Sequence, residues 1–347
     1  MAEWSYKTVL ITGGTGTFSH AMTRYLLDTY PDITIRLLSR DELKQQHMHQ
    51  EFFDARIRFL IGDVRDVERL KLACQDVDLV IHAAALKHID RGEQEPLEFI
   101  HTNVFGTANV ITACHAANVQ QAIFLSTDKS VAACNVYGST KALAERLWIQ
   151  ANGYQPHGTR CAAVRYGNVM GSRGSVVEVW RKLLAKGQQL SLTHPEMTRF
   201  WMSPQEAVRL VQWTAMHGLC GGVVVPHLPA FLMTDLASAM LKPLETYVVT
   251  GIRPGEKLAE QLMTDDEQRR AYFYASSDRV PVCYVIPPMV QHWGASDERS
   301  LWQQGPEETV HGYAEDVSGV LHHLSYQSDV WPWKLTVDDL AQRLKDV

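Results

Sequence analysis

Short apolar runs alternate with helical periodicity through the first half of the chain. Lys7-Thr8-Val9-Leu10-Ile11 is a β-branched run, followed by a glycine turn and a helical pattern through Ala21, Met22, Tyr25, Leu26 and Leu27. Further runs follow at 33–38, 57–61, 77–81, 122–125 and 160–164, with helical stretches between them. Runs apolar at every position suit strands buried on both faces, and alternation with helices predicts an α/β fold with a doubly wound parallel sheet. The pattern loosens after about residue 170, where a helix to about Gly187 and a polar loop follow. Gly221-Gly222-Val223-Val224-Val225 reads as a later strand returning to the sheet. The reading is therefore a nucleotide-binding domain over 1–170, to which a strand and helix near 203–245 return. A smaller, interleaved C-terminal substrate domain covers mainly 171–347. Residues 284–325 give the weakest pattern.

The turn after the first run is Thr12-Gly13-Gly14-Thr15-Gly16-Thr17-Phe18-Ser19. Strand, glycine turn and helix in succession form the context of a Rossmann-type dinucleotide fingerprint. Gly13 and Gly16 let backbone approach a pyrophosphate, and the helix N-terminus offers free N–H groups. Ser19 stands where a third glycine is usual, as the next small choice. The second run ends in Ser39-Arg40-Asp41. An acid for a ribose 2′-hydroxyl comes one position late, whereas Arg40, with Lys44 one turn on, suits a 2′-phosphate. NADP is favoured over NAD. Asp63, followed by Val64, can reach an adenine amino group. Ala83, Ala84 and Ala85 leave room for ribose and nicotinamide. Asn103 is read as a buried residue bonding backbone, a structural Asn being the competing reading.

Proton-handling chemistry concentrates in Ser126-Thr127-Asp128-Lys129 and Tyr137-Gly138-Ser139-Thr140-Lys141. Tyr137 and Lys141 lie four apart on one helix face, and an ammonium beside a phenol is expected to lower the phenol's pKa. Asp128 and Lys129 end a buried strand. One hydride transfer needs a single base, so four such groups point to a second proton transfer such as an elimination.

In the second half, Arg173 sits in a glycine-flanked loop, Arg199 beside Phe200 and Trp201, and Arg253 in a Pro/Gly turn. Arginine binds phosphate bidentately and aromatics stack on bases. Each Arg alone reads as a surface ion-pair residue; together they suggest a nucleotide-diphosphate substrate.

Composition adds exclusions. The net charge of −6, without a basic run, argues against a nucleic-acid partner. No apolar window is long enough for a membrane span and no secretion signal is evident, so a cytoplasmic protein without a membrane partner is expected. The six cysteines are scattered and read as reduced, mostly buried thiols. His47-x-His49 lacks a second ligand pair, so no metal is expected.

The motifs together resemble an extended short-chain dehydrogenase/reductase, and within it the inverting UDP-N-acetylglucosamine 4,6-dehydratases. The resemblance rests on Ile11 to Gly16, Ser39 to Gln45, Ile61 to Asp66, His82 to His88, Ser126 to Lys129, and Val164 to Val169. It continues through Gly171 to Val177, Met197 to Trp201, and Gly251 to Lys257. It covers about residues 7–275, with an echo in 325–329 and 335–340. Relatives acting on dTDP-glucose carry Thr-Asp-Glu where this chain has Thr127-Asp128-Lys129.

The resemblance implies roles. Tyr137, assisted by Lys141, takes the proton of the sugar 4-hydroxyl as hydride leaves carbon 4 for NADP. A neutral Lys129 takes the carbon 5 proton, Asp128 protonates the departing 6-hydroxyl, and Thr127 bonds the 4-oxygen. Hydride then returns to carbon 6, and a proton reaches carbon 5 from the opposite face. Lys87 is implied for cofactor and substrate alike. Asn168, Arg173, Ser175, Val176, Thr193, Met197, Arg199, Arg253 and Glu256 are implied for the UDP-sugar, and a homo-oligomer, dimer or higher, is implied as the assembly. Two departures border the sugar pocket. Ala133-Cys134 replaces a usual Asn-Pro, and Asp90 a usual Pro. They leave the sugar and the carbon 5 stereochemistry open. Cys134 reads as a buried inert thiol, with an added acid/base as the alternative. The competing functions are a nucleotide-sugar 4-epimerase or 5,6-dehydratase, and a non-catalytic NADP sensor.

Overall fold

The structure, a computed structural model, describes residues 4–155, 158–172, 174–217, 220–243, 245–274, 282–289 and 326–346. Its first half repeats strand and helix. The order is β1 (Thr8–Thr12), α1 (Thr17–Thr29), β2 (Thr34–Ser39), α2 (Glu42–Phe52), β3 (Ile57–Ile61), α3 (Val67–Cys74) and β4 (Leu79–His82). Short helices α4 (Ile89–Gln94) and α5 (Pro96–Phe99) lead through a π-helical turn, Ile100–Phe105, into α6 (Gly106–Ala116). Then come β5 (Gln121–Thr127), a 3₁₀ turn at Asp128–Ser130, α7 (Val136–Gln150) and β6 (Arg160–Tyr166).

The strands form a parallel sheet in the order β3-β2-β1-β4-β5-β6. Every residue of β4 and β5 is buried, because helices cover both faces of a parallel sheet. This is the Rossmann-type doubly wound sheet that the alternating runs predict. The carboxyl ends of β1, β4, β5 and β6, at Thr12, His82, Thr127 and Tyr166, open onto one edge, where ligands of such sheets bind.

The second half runs α8 (Val176–Ala185), β7 (Leu190–Leu192), β8 (Thr198–Phe200), α9 (Pro204–Met216), β9 (Val223–Pro226), β10 (Ala230–Leu232) and α10 (Met233–Met240). After these come β11 (Tyr247–Val249), α11 (Asp265–Arg270), β12 (Tyr272–Tyr274), β13 (Cys283–Ile286) and α12 (Val337–Arg343). β9 joins the sheet parallel to β6, and β13 and β12 extend it antiparallel. The sheet therefore recruits chain well beyond 203–245, from the part the sequence reading gave mainly to substrate. A second apolar cluster, with Trp180, Leu190, Trp201, Phe231 and Leu236, sits beyond the sheet's carboxyl edge. Residues 290–325 lie outside the described residues.

One buried ion network ties the two halves. Arg165 on β6 donates to both carboxylate oxygens of Glu145 on α7 at 2.6 and 3.1 Å, to Glu267 at 2.8 Å, and to the Leu262 carbonyl at 3.0 Å. Removing one partner of a buried pair strands the others' charges. Arg165→Met is therefore expected to cost about 3–5 kcal/mol of stability, read as a lowered midpoint in denaturant unfolding.

Candidate functional site

The glycine turn after β1 is built for close approach. Gly13 has φ +67°, and a Cβ there would lie 2.9 Å from the Ala84 backbone. Gly16 caps α1 without a side-chain hydrogen bond, and no acid occupies the first turn, so the positive helix end favours an anion beside Thr15, Thr17 and Phe18. Ser19 does more than fit. Its hydroxyl donates to the Gly13 carbonyl at 2.9 Å and clips the turn shut.

At the next strand ends, Ser39 and Arg40 close β2. Arg40 lies 3.5 Å from Asp63, and Lys44 pairs with Asp41, the N-cap of α2, at 2.7 Å. Asp63 accepts from the Arg65 backbone N–H at 2.9 Å and from its guanidinium at 2.8 and 3.0 Å. Val64 is buried against Gly106 of α6.

His82 holds the floor between this turn and α7. Its Nδ1 is 2.6 Å from Thr12 Oγ1 and its Nε2 3.0 Å from Thr107 Oγ1. Burial, aided by the Lys141 charge, lowers its pKa to about 3, so the ring is neutral. Thr107 gives its own proton to the Asn103 carbonyl at 2.6 Å. Thr107 must therefore accept from His82, which assigns the proton to Nε2 and makes Thr12 the donor to Nδ1. Asn103, on the π-helical turn, clamps both backbone groups of Leu86 at 2.8 and 2.9 Å and donates to Thr140 at 3.1 Å. The Ala83-Ala84-Ala85 turn and the helix bearing Tyr137 are thus held in one network.

The proton-handling groups converge. Lys129 Nζ lies 3.0 Å from Asp128 Oδ1, 3.2 Å from Asn168 Oδ1 and 3.1 Å from Glu260 Oε1. Thr127 Oγ1 donates to Asp128 Oδ1 at 2.9 Å. Asp128 and Glu260 are 1% and 2% exposed. Burial raises the Asp128 carboxyl, and Glu260 adds to the rise against the pull of Lys129. Burial would also raise Glu260, but Lys129 and Arg199 outweigh it and hold that carboxyl below its ordinary value.

Two expectations need correction. Burial works to neutralise Lys129, yet the carboxylates of Asp128 and Glu260 overcome it and leave the amine above its ordinary pKa. The two carboxyls thus favour the ammonium form of Lys129 over the neutral base that the resemblance implies. Tyr137 is raised rather than lowered. Burial dominates, and the cation that opposes it is Lys129, with a side-chain interaction with Thr127 acting in the same direction. Lys141 instead donates to the Leu125 carbonyl at 2.7 Å and sits 3.8 Å from the Phe124 ring centroid. Its burial, only partly offset by Glu145, brings its pKa to about 7.

α7 begins against this cluster. Asn135 caps it, accepting from Gly138 N–H at 2.7 Å, and a Cβ on Gly138 would stand 2.2 Å from the Lys129 carbonyl oxygen. Cys134, expected to be buried, is exposed in the preceding loop. Its thiol donates to the Gly255 carbonyl at 3.4 Å.

A pocket opens from Lys129 toward the second apolar cluster. It gathers Asn168, Val176, Thr193, Met197, Arg199, Arg253 and Glu256 of the residues read as substrate-binding. Ser175 is the N-cap of α8 at its edge. Lys87 is exposed, and desolvation by the protein around it lowers its pKa against the pull of Glu178. Arg173 lies outside the described residues. Arg199 is not a free phosphate ligand. It is buried, donates to the Thr198 and Leu258 carbonyls at 2.7 and 3.2 Å, and faces Glu260 at 3.8 Å. Arg253 is exposed at the mouth.

Sequence reasoning missed Glu260, Lys257 and the apolar wall of Trp180, Phe231 and Met233. Glu260 stands three positions after Lys257 in a segment with no regular structure, so no periodicity marked it. Its acidic character beside the Pro/Gly turn was the one available signal.

The family model described as Polysaccharide biosynthesis protein matches residues 9–281. The inverting UDP-N-acetylglucosamine 4,6-dehydratase of Campylobacter jejuni serotype O:23/36 is 41% identical over 327 residues, covering 93% of this chain and 92% of the relative. The UDP-glucose 4-epimerase of Rickettsia massiliae is 40% identical over 283 residues, covering 80% and 83%. Among solved structures, Pen from Bacillus thuringiensis superposes with a TM-score of 0.82 at 31% identity, covering 98% of this chain and 97% of that one.

Proposed function

The chain belongs to the polysaccharide biosynthesis protein family, and from that premise we propose that it is a nucleotide-sugar 4,6-dehydratase. It converts UDP-N-acetylglucosamine to the 4-keto-6-deoxy sugar with inversion at carbon 5. The observation that carries this is the meeting of buried Asp128 with the half-buried Lys129 and Tyr137 in one cluster at the sheet's carboxyl edge.

NADP is the proposed cofactor. The glycine turn and the open N-terminus of α1 suit its pyrophosphate, Ser39, Arg40 and Lys44 its 2′-phosphate, and Ala83 to Ala85 the ribose and nicotinamide. A nicotinamide held there would supply the hydride acceptor for carbon 4 of the sugar and the hydride donor for carbon 6. Tyr137 accepts the 4-hydroxyl proton in its phenolate form, the form that the Lys129 charge favours against burial, and Thr127 bonds that oxygen. Asp128, whose carboxyl is raised, holds the proton that the departing 6-hydroxyl needs. Arg253 at the pocket mouth suits the diphosphate, and Met197, Thr193 and Val176 line the sugar-nucleotide path. The second apolar cluster is then the sugar-nucleotide half of the molecule.

The Rickettsia relative's name favours a second reading, a 4-epimerase. Epimerisation requires only a base at the 4-hydroxyl and gives no work to Asp128 and Lys129. Incubation with UDP-N-acetylglucosamine in deuterium oxide, followed by NMR, separates the two. A 6-deoxy-4-keto product with deuterium at carbon 5 and inverted couplings is expected. A 4-epimer with carbon 6 intact would overturn the dehydratase reading. For the cofactor, Arg40→Ala is expected to weaken NADP binding about 10-fold or more, as loss of a charge-assisted bond does, with NAD binding little changed. Fluorescence titration of both nucleotides reads the ratio.

A further inference from the structure

Glu260 is a buried acid that the proposed chemistry has not yet used. Lys129 Nζ lies between Asp128 Oδ1 at 3.0 Å and Glu260 Oε1 at 3.1 Å, so one ammonium serves two carboxyl groups. The second oxygens, Asp128 Oδ2 and Glu260 Oε2, are buried and have no hydrogen-bond partner among the described residues. Glu260 also lines the pocket, and its backbone is pinned. Its N–H donates to Ser328 Oγ at 2.9 Å, its carbonyl accepts from Ser328 N–H at 2.9 Å, and Ser328 Oγ meets Thr198 Oγ1 at 2.7 Å. The charged groups around it are Lys129 and Asp128 from the turn after β5, Arg199 from β8 and Lys257 from its own segment. Tyr137 on α7 and Lys87 after β4 face the Lys129 side.

An ammonium has no lone pair with which to take a proton from carbon. We propose that the base at carbon 5 is the Lys129–Glu260 pair, with Glu260 the relay residue that receives the proton through Lys129. This rests on the dehydratase reading, with carbon 4 already oxidised to the ketone. As the carbon 5 proton passes to Nζ, Nζ passes one of its own to Glu260 Oε1, and Lys129 stays an ammonium. The pair of electrons from the C5–H bond forms the C5–C6 double bond. The C6–O bond breaks with its electrons going to oxygen, which takes the Asp128 proton and leaves as water. Glu260 ends as the acid and Asp128 as the carboxylate. Of the two carboxyls flanking Lys129, burial shifts Asp128 toward its acid form while Lys129 and Arg199 hold Glu260 toward its carboxylate.

The test is Glu260→Gln beside Glu260→Asp. In deuterium oxide with UDP-N-acetylglucosamine, Glu260→Gln is expected to lose deuterium exchange at carbon 5 at neutral pH by about 10²-fold or more, the scale of a lost general base. Oxidation at carbon 4, followed by absorbance of the reduced nicotinamide, should persist. The exchange that remains should rise with pH, because losing a neighbouring carboxylate lowers the Lys129 pKa and frees its amine. Glu260→Asp should restore part of the exchange. Wild-type exchange with an unshifted pH profile in Glu260→Gln would overturn the relay, as would joint loss of carbon 4 oxidation and fold stability. A readout independent of turnover is isotope-edited infrared spectroscopy of the wild type with labelled aspartate and glutamate. An ionised Glu260 and a protonated Asp128 at neutral pH are expected, and a protonated Glu260 overturns the proposal. An inactive wild type that keeps this infrared signature would count against the dehydratase reading alone.

Discussion

Lys129→Met is expected to abolish formation of the 6-deoxy-4-keto product and also to destabilise the protein. The ammonium is the shared counter-charge of Asp128 and Glu260, both almost wholly buried. Without it, two buried carboxyls face each other, with Arg199, 3.8 Å from Glu260, and Lys257 as the remaining nearby cations among the described residues. Breaking a buried pair costs about 3–5 kcal/mol. The cost should depend on pH with a definite sign. In the variant both carboxyls are pushed above their unfolded values, so the native state binds more protons than the unfolded chain. Stability is then greatest below the unfolded carboxyl pKa, about 4, and falls as pH rises through the raised native values. Thermal melts of wild type and variant across that range measure this. A second replacement, Lys129→Met with Glu260→Gln, should recover much of the lost midpoint and none of the turnover. A variant that melts like wild type at neutral pH would show that Lys129 is not the counter-charge described here.

Gly138→Ala is the second large effect, and it acts through backbone alone. The added Cβ would stand 2.2 Å from the Lys129 carbonyl oxygen and 3.2 Å from the Ala133 Cβ. Neither neighbour is a flexible side-chain end. The first turn of α7 or the Asp128–Ser130 turn must move, and Tyr137 precedes Gly138 directly while Lys129 carries the struck carbonyl. Misplacing reacting groups by about 1 Å can cost 10²-fold in rate, and overpacking costs typically about 1–3 kcal/mol. Turnover is expected to fall by about that factor, in kcat rather than KM, because the pocket wall of Trp180, Met197 and Phe231 is untouched. Steady-state kinetics with UDP-N-acetylglucosamine and a thermal melt decide it. Unchanged kcat would mean that the helix start yields without disturbing Tyr137.

The alternation of apolar runs with helical periodicity determined the parallel sheet, because strands buried on both faces must be apolar throughout and their crossovers must be amphipathic. Local spacing likewise marked the glycine turn before α1, the Asp128-Lys129 pair and Tyr137 with Lys141, each of which lies within one turn or strand end. Ser19 was legible as a small residue, though its bond to the Gly13 carbonyl was not. What the sequence could not decide was charge state. The Tyr137/Lys141 spacing pointed to an acidified phenol, and the resemblance implied a neutral Lys129 base. The folded chain brings Glu260 from an irregular segment to Lys129 and directs Lys141 to the Leu125 carbonyl, reversing both readings. A pKa is set by the burial and the charges within a few ångströms. Those neighbours come from β5, α7, β8 and the 258–262 segment, positions that only the tertiary structure brings together. Arg199 was marked by its type as a phosphate ligand, and the fold instead sets it against Glu260 in the protein's interior. The same physics explains why β12 and β13 escaped prediction. Their runs are short, and they are strands because β9 offers an edge to β13 and β13 offers one to β12.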